Sequence, residues 1–383
     1  MKAPRLFFYV QHLLGVGHQV RAQTIARHCG RAGFAVDLVD GGAADRIERM
    51  PEGVLRHALP SARSADAGFS GLVNSDGQPI DDAWKETRRR MVLDLFAETE
   101  PDILLIEGFP FARRAFRFEL VPLLEAAKAA GIPVAVSVRD IIQPKKPDRV
   151  PEVLDWLDRY VDLVLVHGDP AMVPFSVSFP AVSQITSTVV HTGYVSADDN
   201  RAVGQNRNGI VVSGGGGAAA AALFEAAIEA ARIVAGAYGP WRFLLGPNHP
   251  QDHAATLRRL ASEDIIIEPA RDDFRSVLRA SRVSISQAGY NTATDLLATM
   301  TPAVLVPFEQ AGQQEQRLRA NRLSAMGRAV VVDEDGLTGE TVSDAVHQAA
   351  EMRLNTVRPV AMDGAEKTAQ ALLGLVRGTN DAN

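Results

Sequence analysis

Cys29 is the one cysteine among 383 residues, so no disulfide can close within the chain and no cysteine-based metal cluster can form. Long apolar runs are missing too, and nothing approaches the roughly 20 residues needed to span a bilayer. The first stretch, MKAPRLFFYVQHLLGVGHQ, is broken by Gln11, His12 and glycines. It lacks the long apolar region and small-residue cleavage site of a signal peptide, and it reads as a first core strand. Nor is there an excess of positive charge. The 40 Lys and Arg stand against 46 Asp and Glu, a formal net charge of −6, so nothing global points to nucleic acid as a partner. These absences lead us to expect a cytoplasmic protein, with any membrane contact peripheral, at the inner face. What remains is a soluble globular composition, 46% hydrophobic and 22% charged, with length for two domains of about 150–200 residues.

Two halves repeat one rhythm of short apolar runs alternating with helix-length amphipathic ones. In the first half, strands are expected at 6–10, 35–39, 103–106, 134–138 and 163–166, and helices at 18–31, 82–98, 119–130 and 150–160. In the second, strands are expected at 209–212, 242–245, 265–267, 283–286, 303–307 and 329–332. Continuous apolar strands separated by helices indicate parallel sheets covered on both faces. The polar, aperiodic stretch SADDNRAVGQNRNG (196–209) reads as a linker. The expected division is an N-terminal domain over 1–198, a linker over 199–208 and a C-terminal domain over 209–383. The last helix, about 365–376, is free to pack on either. Two doubly wound domains would face a central cleft at the carboxyl ends of their strands, where such sheets bind ligands.

The second half carries the clearer chemistry. In VVSGGGGAAAAALFEAAIEAA a strand runs into Ser213, Gly214, Gly215, Gly216 and a fourth glycine, then into an Ala-rich helix. Exposed backbone N–H groups at a helix start suit a phosphate or diphosphate, the alternative being a plain flexible turn. No Gly-Lys-Ser/Thr follows, so this is not a Walker A motif. In SISQAGYNTATDLLATM, Gly289 turns a strand into a helix beginning near Asn291 or Thr292, a second candidate anion site. Asp295 lies three residues after Thr292, on the same helix face. A carboxylate there would accept both hydroxyls of a ribose, or else form an ordinary capping pair with Thr292. Further on, EQRLRA places Glu315 and Gln316 at a helix start, where an acid and an amide could hold neighbouring sugar hydroxyls.

The motifs QAGYNTATD and P…EQRLRA resemble the donor-nucleotide signature of GT-B glycosyltransferases, both the plant-type enzymes and glycosyltransferase family 28. GVGH resembles the glycine-rich first loop of the family 28 enzymes, through Gly15 and Gly17. EPDILLIEGFP, VRDII and VHGDP…HTGYV, in that order, are similar to a bacterial branch of the family. The resemblance implies an α/β chain of two Rossmann-like domains that moves a hexose from a nucleoside-diphosphate sugar, a UDP-sugar, to an acceptor hydroxyl with inversion. No cofactor and no metal are implied, because helix N-termini would take the leaving diphosphate. Carried over by position, Gly289, Asn291 and Thr292 bind the diphosphate, Asp295 stands for the usual ribose-binding Glu, and Glu315 and Gln316 contact the sugar. Arg271 falls where a backbone reads the base. His18 takes the place of the catalytic base of the plant-type enzymes, and Glu107 that of the acid orienting it.

Three residues sit where acceptors would bind, Arg21 one turn after His18, and Arg139 with Asp140 after a later strand. The acceptor itself is open between glycan, lipid-linked and small-molecule classes. GFPFARRAFRF (108–118) is either an interfacial patch for a lipid-linked acceptor or a buried helix with a cationic outer face. GHQVR also resembles the GHxxR of nucleotide-sugar hydrolases. A hydrolase or 2-epimerase on the same fold therefore stays open, as does a non-catalytic nucleotide-sugar sensor. Dinucleotide binding, with Asp40 as ribose acid, is weaker, since Val20 stands where a third glycine belongs.

Overall fold

The computed structural model describes residues 2–13, 17–42, 50–64, 71–143, 147–196, 207–215, 220–247, 249–308, 314–354 and 357–380, with backbone only at 17, 18, 147, 379 and 380. The chain forms two compact units, Met1–Ala197 with Ala361–Asn383, and Asp198–Val360.

In the first unit β1 (Arg5–Val10), α1 (Gly17–Arg31), β2 (Ala35–Asp40) and β3 (Val54–Ala58) come first, then a small antiparallel pair, β4 (Arg63–Ser64) and β5 (Leu72–Val73). They are followed by α2 (Asp82–Thr99), β6 (Ile103–Glu107), α3 (Arg117–Ala129), β7 (Val134–Arg139), α4 (Val150–Tyr160), β8 (Leu163–His167) and β9 (Thr188–His191). The main sheet is parallel throughout, in the order β3-β2-β1-β6-β7-β8-β9. Alternate residues of β1 serve opposite cores, Phe7 and Tyr9 one and Leu6, Phe8 and Val10 the other, as a period of two requires. Strand order reverses between β1 and β6, so the loops after these two strands form the switch point where doubly wound sheets bind ligands.

Two edge strands, β3 and β9, have no counterpart among the sequence expectations. β3 reads VLRHA, too polar to look like a core strand, because Arg56 and His57 pair with Asp40 and Asp37 of the neighbouring β2 at 2.8 Å each. The reading of GFPFARRAFRF as an interfacial patch is corrected. Phe109, Phe111 and Phe116 are fully buried, Phe109 against Trp156 and Phe111 against Phe175 and Phe179. Of its arginines, Arg113 donates Nε to the Gln11 carbonyl at 2.6 Å and Arg114 pairs with Glu152 at 2.7 Å. Among the described residues no helix is long and apolar enough to cross a membrane.

The second unit runs β10 (Ile210–Ser213), α5 (Ala221–Ile233), β11 (Trp241–Leu245), α6 (Gln251–Arg258), β12 (Ile265–Pro269), α7 (Phe274–Ala280) and β13 (Val283–Ser286), then α8 (Tyr290–Thr299), β14 (Ala303–Leu305), α9 (Glu315–Ala325), β15 (Ala329–Val331) and α10 (Gly339–Ala350). Its parallel sheet has the order β12-β11-β10-β13-β14-β15, with its switch point between β10 and β13. The last helix, α11 (Gly364–Asn380), belongs to the first unit rather than the second. Ala365, Ala369, Leu372 and Val376 join a core with Ile25, Ala26 and Cys29 of α1. The segment before it is pinned there by Tyr194 N to Ala361 O at 2.8 Å and Gly364 N to Tyr194 O at 3.1 Å.

Candidate active site

At the switch point of the second unit two loops leave adjacent strands, since Ser213 of β10 lies beside Ser286 of β13 in register. Ser213 Oγ accepts the Gly215 N–H at 3.2 Å. A Cβ on Gly214 would stand 2.3 Å from Ala220 Cβ at the start of α5, so only glycine lets this helix approach the strand. Gly215 takes φ +63°, the left-handed region glycine tolerates. Gly216 lies outside the described residues. After β13, Gly289 is the N-cap of α8 and makes no side-chain cap bond. The helix starts at Tyr290, with Asn291 and Thr292 half-buried in its first turn.

Asp295 does not form a capping pair with Thr292. Its carboxylate pairs with Arg275 of α7, Nε to Oδ1 at 2.5 Å. Burial raises its pKa and Arg275 opposes the rise. A ribose would share this carboxylate with a guanidinium already in place. Arg271 folds back on Asp273 through two bonds of 2.7 and 2.8 Å, which occupies its side chain. Glu315 is buried against Arg319 at 2.8 Å. Gln316 turns its Oε1 onto two backbone N–H groups, Ala288 at 3.0 Å and Phe308 at 3.2 Å. One Asp-x-Asp triplet exists, Asp333-Glu334-Asp335. It lies on an exposed turn, with Asp333 pairing to Arg317.

At the switch point of the first unit, His18 occupies the first turn of α1; its side chain, with Gly15 nearby in sequence, is outside the description. Glu107 ends β6, almost fully buried. One of its oxygens takes the Arg21 guanidinium and the other accepts Ser137 Oγ at 2.6 Å. Ser137 Oγ lies 2.7 Å from His167 Nε2, and His167 Nδ1 lies 2.8 Å from Thr192 Oγ1. With the hydroxyl proton of Ser137 given to Glu107, His167 must donate from Nε2 and accept at Nδ1 from Thr192. Every proton in this row points toward Glu107. Burial pushes the His167 pKa down to about 3, helped by the charge of Arg21, so the imidazole is neutral at ordinary pH. The sequence reading did not single out Ser137, His167 or Thr192, which complete this row.

Arg139, half-buried at the end of β7, and Arg21 both help burial lower the pKa of Arg113 to about 10. Asp140 is corrected as an acceptor contact. It is fully buried, with Oδ1 on the Ile141 N–H at 2.8 Å and Oδ2 receiving the Tyr194 hydroxyl at 3.0 Å. Asp40 is likewise paired, with Arg56 at 2.8 Å and the Gly42 N–H at 3.0 Å.

Residues 210–372 match the model of the glycosyltransferase family 28 C-terminal domain. Over 116 residues the chain is 33% identical to the UDP-N-acetylglucosamine--N-acetylmuramyl-(pentapeptide) pyrophosphoryl-undecaprenol N-acetylglucosamine transferase of an Exiguobacterium species, covering 30% of this chain and 32% of the relative. The enzyme of the same name from Prochlorococcus marinus is 26% identical over 242 residues, 61% of each chain. That from Allorhizobium ampelinum is 23% identical over 338 residues, 85% of this chain and 82% of the relative. The match thus spans about a third of the first relative's length and about three-fifths of the second's. Among solved structures, MurG of Acinetobacter baumannii superposes with a TM-score of 0.59 at 15% identity, over 98% of this chain and 99% of that one. The calicheamicin glycosyltransferase superposes with 0.61 at 16% identity, over 100% and 98%. These likenesses make the fold GT-B, two Rossmann-like units, and the resemblance to family 28 stands on the matched domain.

Proposed function

We propose that the chain is a glycosyltransferase, a hexosyltransferase that takes its sugar from a UDP-linked donor and transfers it with inversion, without a metal or other cofactor. The observation that carries this reading is the family 28 domain match over 210–372, which includes both loops of the second unit's switch point. In this reading the N–H groups at the start of α8 and after Ser213 receive the diphosphate. Asp295 holds the ribose, the backbone at Arg271 meets the base, and Glu315 meets sugar hydroxyls. His18 takes the proton from the acceptor hydroxyl as its oxygen attacks the anomeric carbon. The bond from that carbon to the diphosphate breaks, and the helix-start N–H groups stabilise the charge that departs. Glu107 supplies the negative charge beside the start of α1 and is held there by Arg21, and Arg139 is the residue this reading gives to an acceptor.

A calorimetric screen of UDP, UDP-N-acetylglucosamine and UDP-glucose tests the donor half; absence of binding by all three overturns it. His18→Ala should lower turnover about 10²–10⁴-fold with donor affinity unchanged. Rapid release of free sugar into water, with no acceptor able to divert it, would replace the transferase with a hydrolase. Formation of a new free sugar epimer would replace it with the epimerase.

A further inference from the structure

Ala288 sits between β13 and α8, immediately before the glycine that caps the helix. Both polar groups of its backbone are held by side chains of α9. Its N–H donates to Gln316 Oε1 at 3.0 Å and its carbonyl accepts from Arg319 Nη1 at 2.8 Å. Gln316 and Arg319 are three apart on α9, hence neighbours on one face. The same Gln316 oxygen takes the Phe308 N–H at 3.2 Å, so a single amide ties together the chain segments leaving β13 and β14. Arg319 is fully buried, pairs with Glu315 at 2.8 Å, and lies over the Tyr290 ring at 5.8 Å. A guanidinium out of water is costly unless its N–H groups are met; here one meets the peptide that sets where α8 begins.

We propose that Gln316 and Arg319 are positioning residues that clamp the Ala288 peptide, and through it aim the first turn of α8 at the donor's diphosphate. This rests on the reading of α8 as the diphosphate seat. It departs from the expectation that Gln316 meets the sugar through its oxygen, because that oxygen is already shared by two backbone donors. A displaced clamp disturbs the phosphates common to UDP and every UDP-sugar. A lost sugar contact disturbs only the sugar-bearing ligand.

The test is calorimetry on the full chain with UMP, UDP and UDP-N-acetylglucosamine. Gln316→Met, which keeps length but not the acceptor, should weaken UDP and UDP-N-acetylglucosamine by the same factor, about tenfold, while UMP changes less than twofold. Arg319→Lys, which keeps charge but loses the fork, should give the same pattern. Weakening of UDP-N-acetylglucosamine alone overturns the proposal in favour of a sugar contact, and so does equal weakening of all three ligands, which would mean general damage. If the unaltered chain binds UDP and neither variant changes that affinity, the clamp falls and the diphosphate reading survives. If the unaltered chain binds none of the three, the diphosphate reading itself falls and takes the clamp with it.

Discussion

Single residues in this protein separate two uses of burial. His167 is buried to stay neutral, and this leaves a measurable mark. An unfolded histidine holds its proton up to about pH 6.5, whereas folded His167 releases it down to about 3. Between those values the unfolded chain binds more protons, so stability is complete above about pH 6.5 and falls as the pH drops toward 3. His167→Gln should reduce the stability difference between pH 7 and pH 4.5 by up to about 2–3 kcal/mol, measured by urea unfolding at both pH values. His191 and His249, also lowered by burial, keep their share in the variant. An unaltered pH dependence would show that the imidazole is not held neutral. Asp295 is the opposite case, a half-buried carboxylate with a charged partner, to which the proposed function gives the ribose. Asp295→Ala should weaken UDP binding by roughly 1.5–3 kcal/mol, the scale of charged hydrogen bonds; calorimetry returning the original affinity would leave Arg275 as its sole role.

At the scale of elements, the sequence showed more of the architecture than of the wiring. Strands such as β6 and β8 were legible because their residues are buried on both faces, and buried parallel strands must be continuously apolar. β3 was not, because its polar residues are met across the sheet, Arg56 by an ion pair to Asp40 and His57 by a hydrogen bond with Asp37, invisible in a local pattern. The row Glu107–Ser137–His167–Thr192 was hidden for the same reason. Its members come from four segments, within or beside EGFP, VRDII, VHGDP and HTGYV, and only the parallel register brings them side by side. The donor motifs were readable because their residues are close in sequence, whereas the tie between Ala288 and α9 spans a fold crossing. The placement of α11 gives an element-scale expectation. Burial pushes the Cys29 thiol to about 12, and this thiol lies in the core that α11 closes. In the full chain it should resist a disulfide reagent until unfolding. A chain ending at residue 360 should expose it, and equal protection in both would mean that α11 adds no cover.

At the scale of the molecule, the division into units predicts two stabilities. The second unit is a continuous segment, Asp198–Val360, with its own core around Phe224, Trp241, Phe243 and Val346. Expressed alone, it should unfold cooperatively in denaturant and keep helical circular dichroism. A non-cooperative profile would show that it depends on the remainder. The first unit, by contrast, is interrupted, since Met1–Ala197 is completed only by Ala361–Asn383. A ribosome adding about 5–20 residues per second would need roughly 8–30 s to travel from the end of the first segment to the start of the second. For that interval Ile25, Ala26 and Cys29 on α1 lack the helix that covers them. The usual order of folding, in which the N-terminal domain finishes first, should therefore be reversed here. The later-made unit can finish while the earlier one waits with an open apolar face, and this waiting stage is where the nascent chain would most need a chaperone.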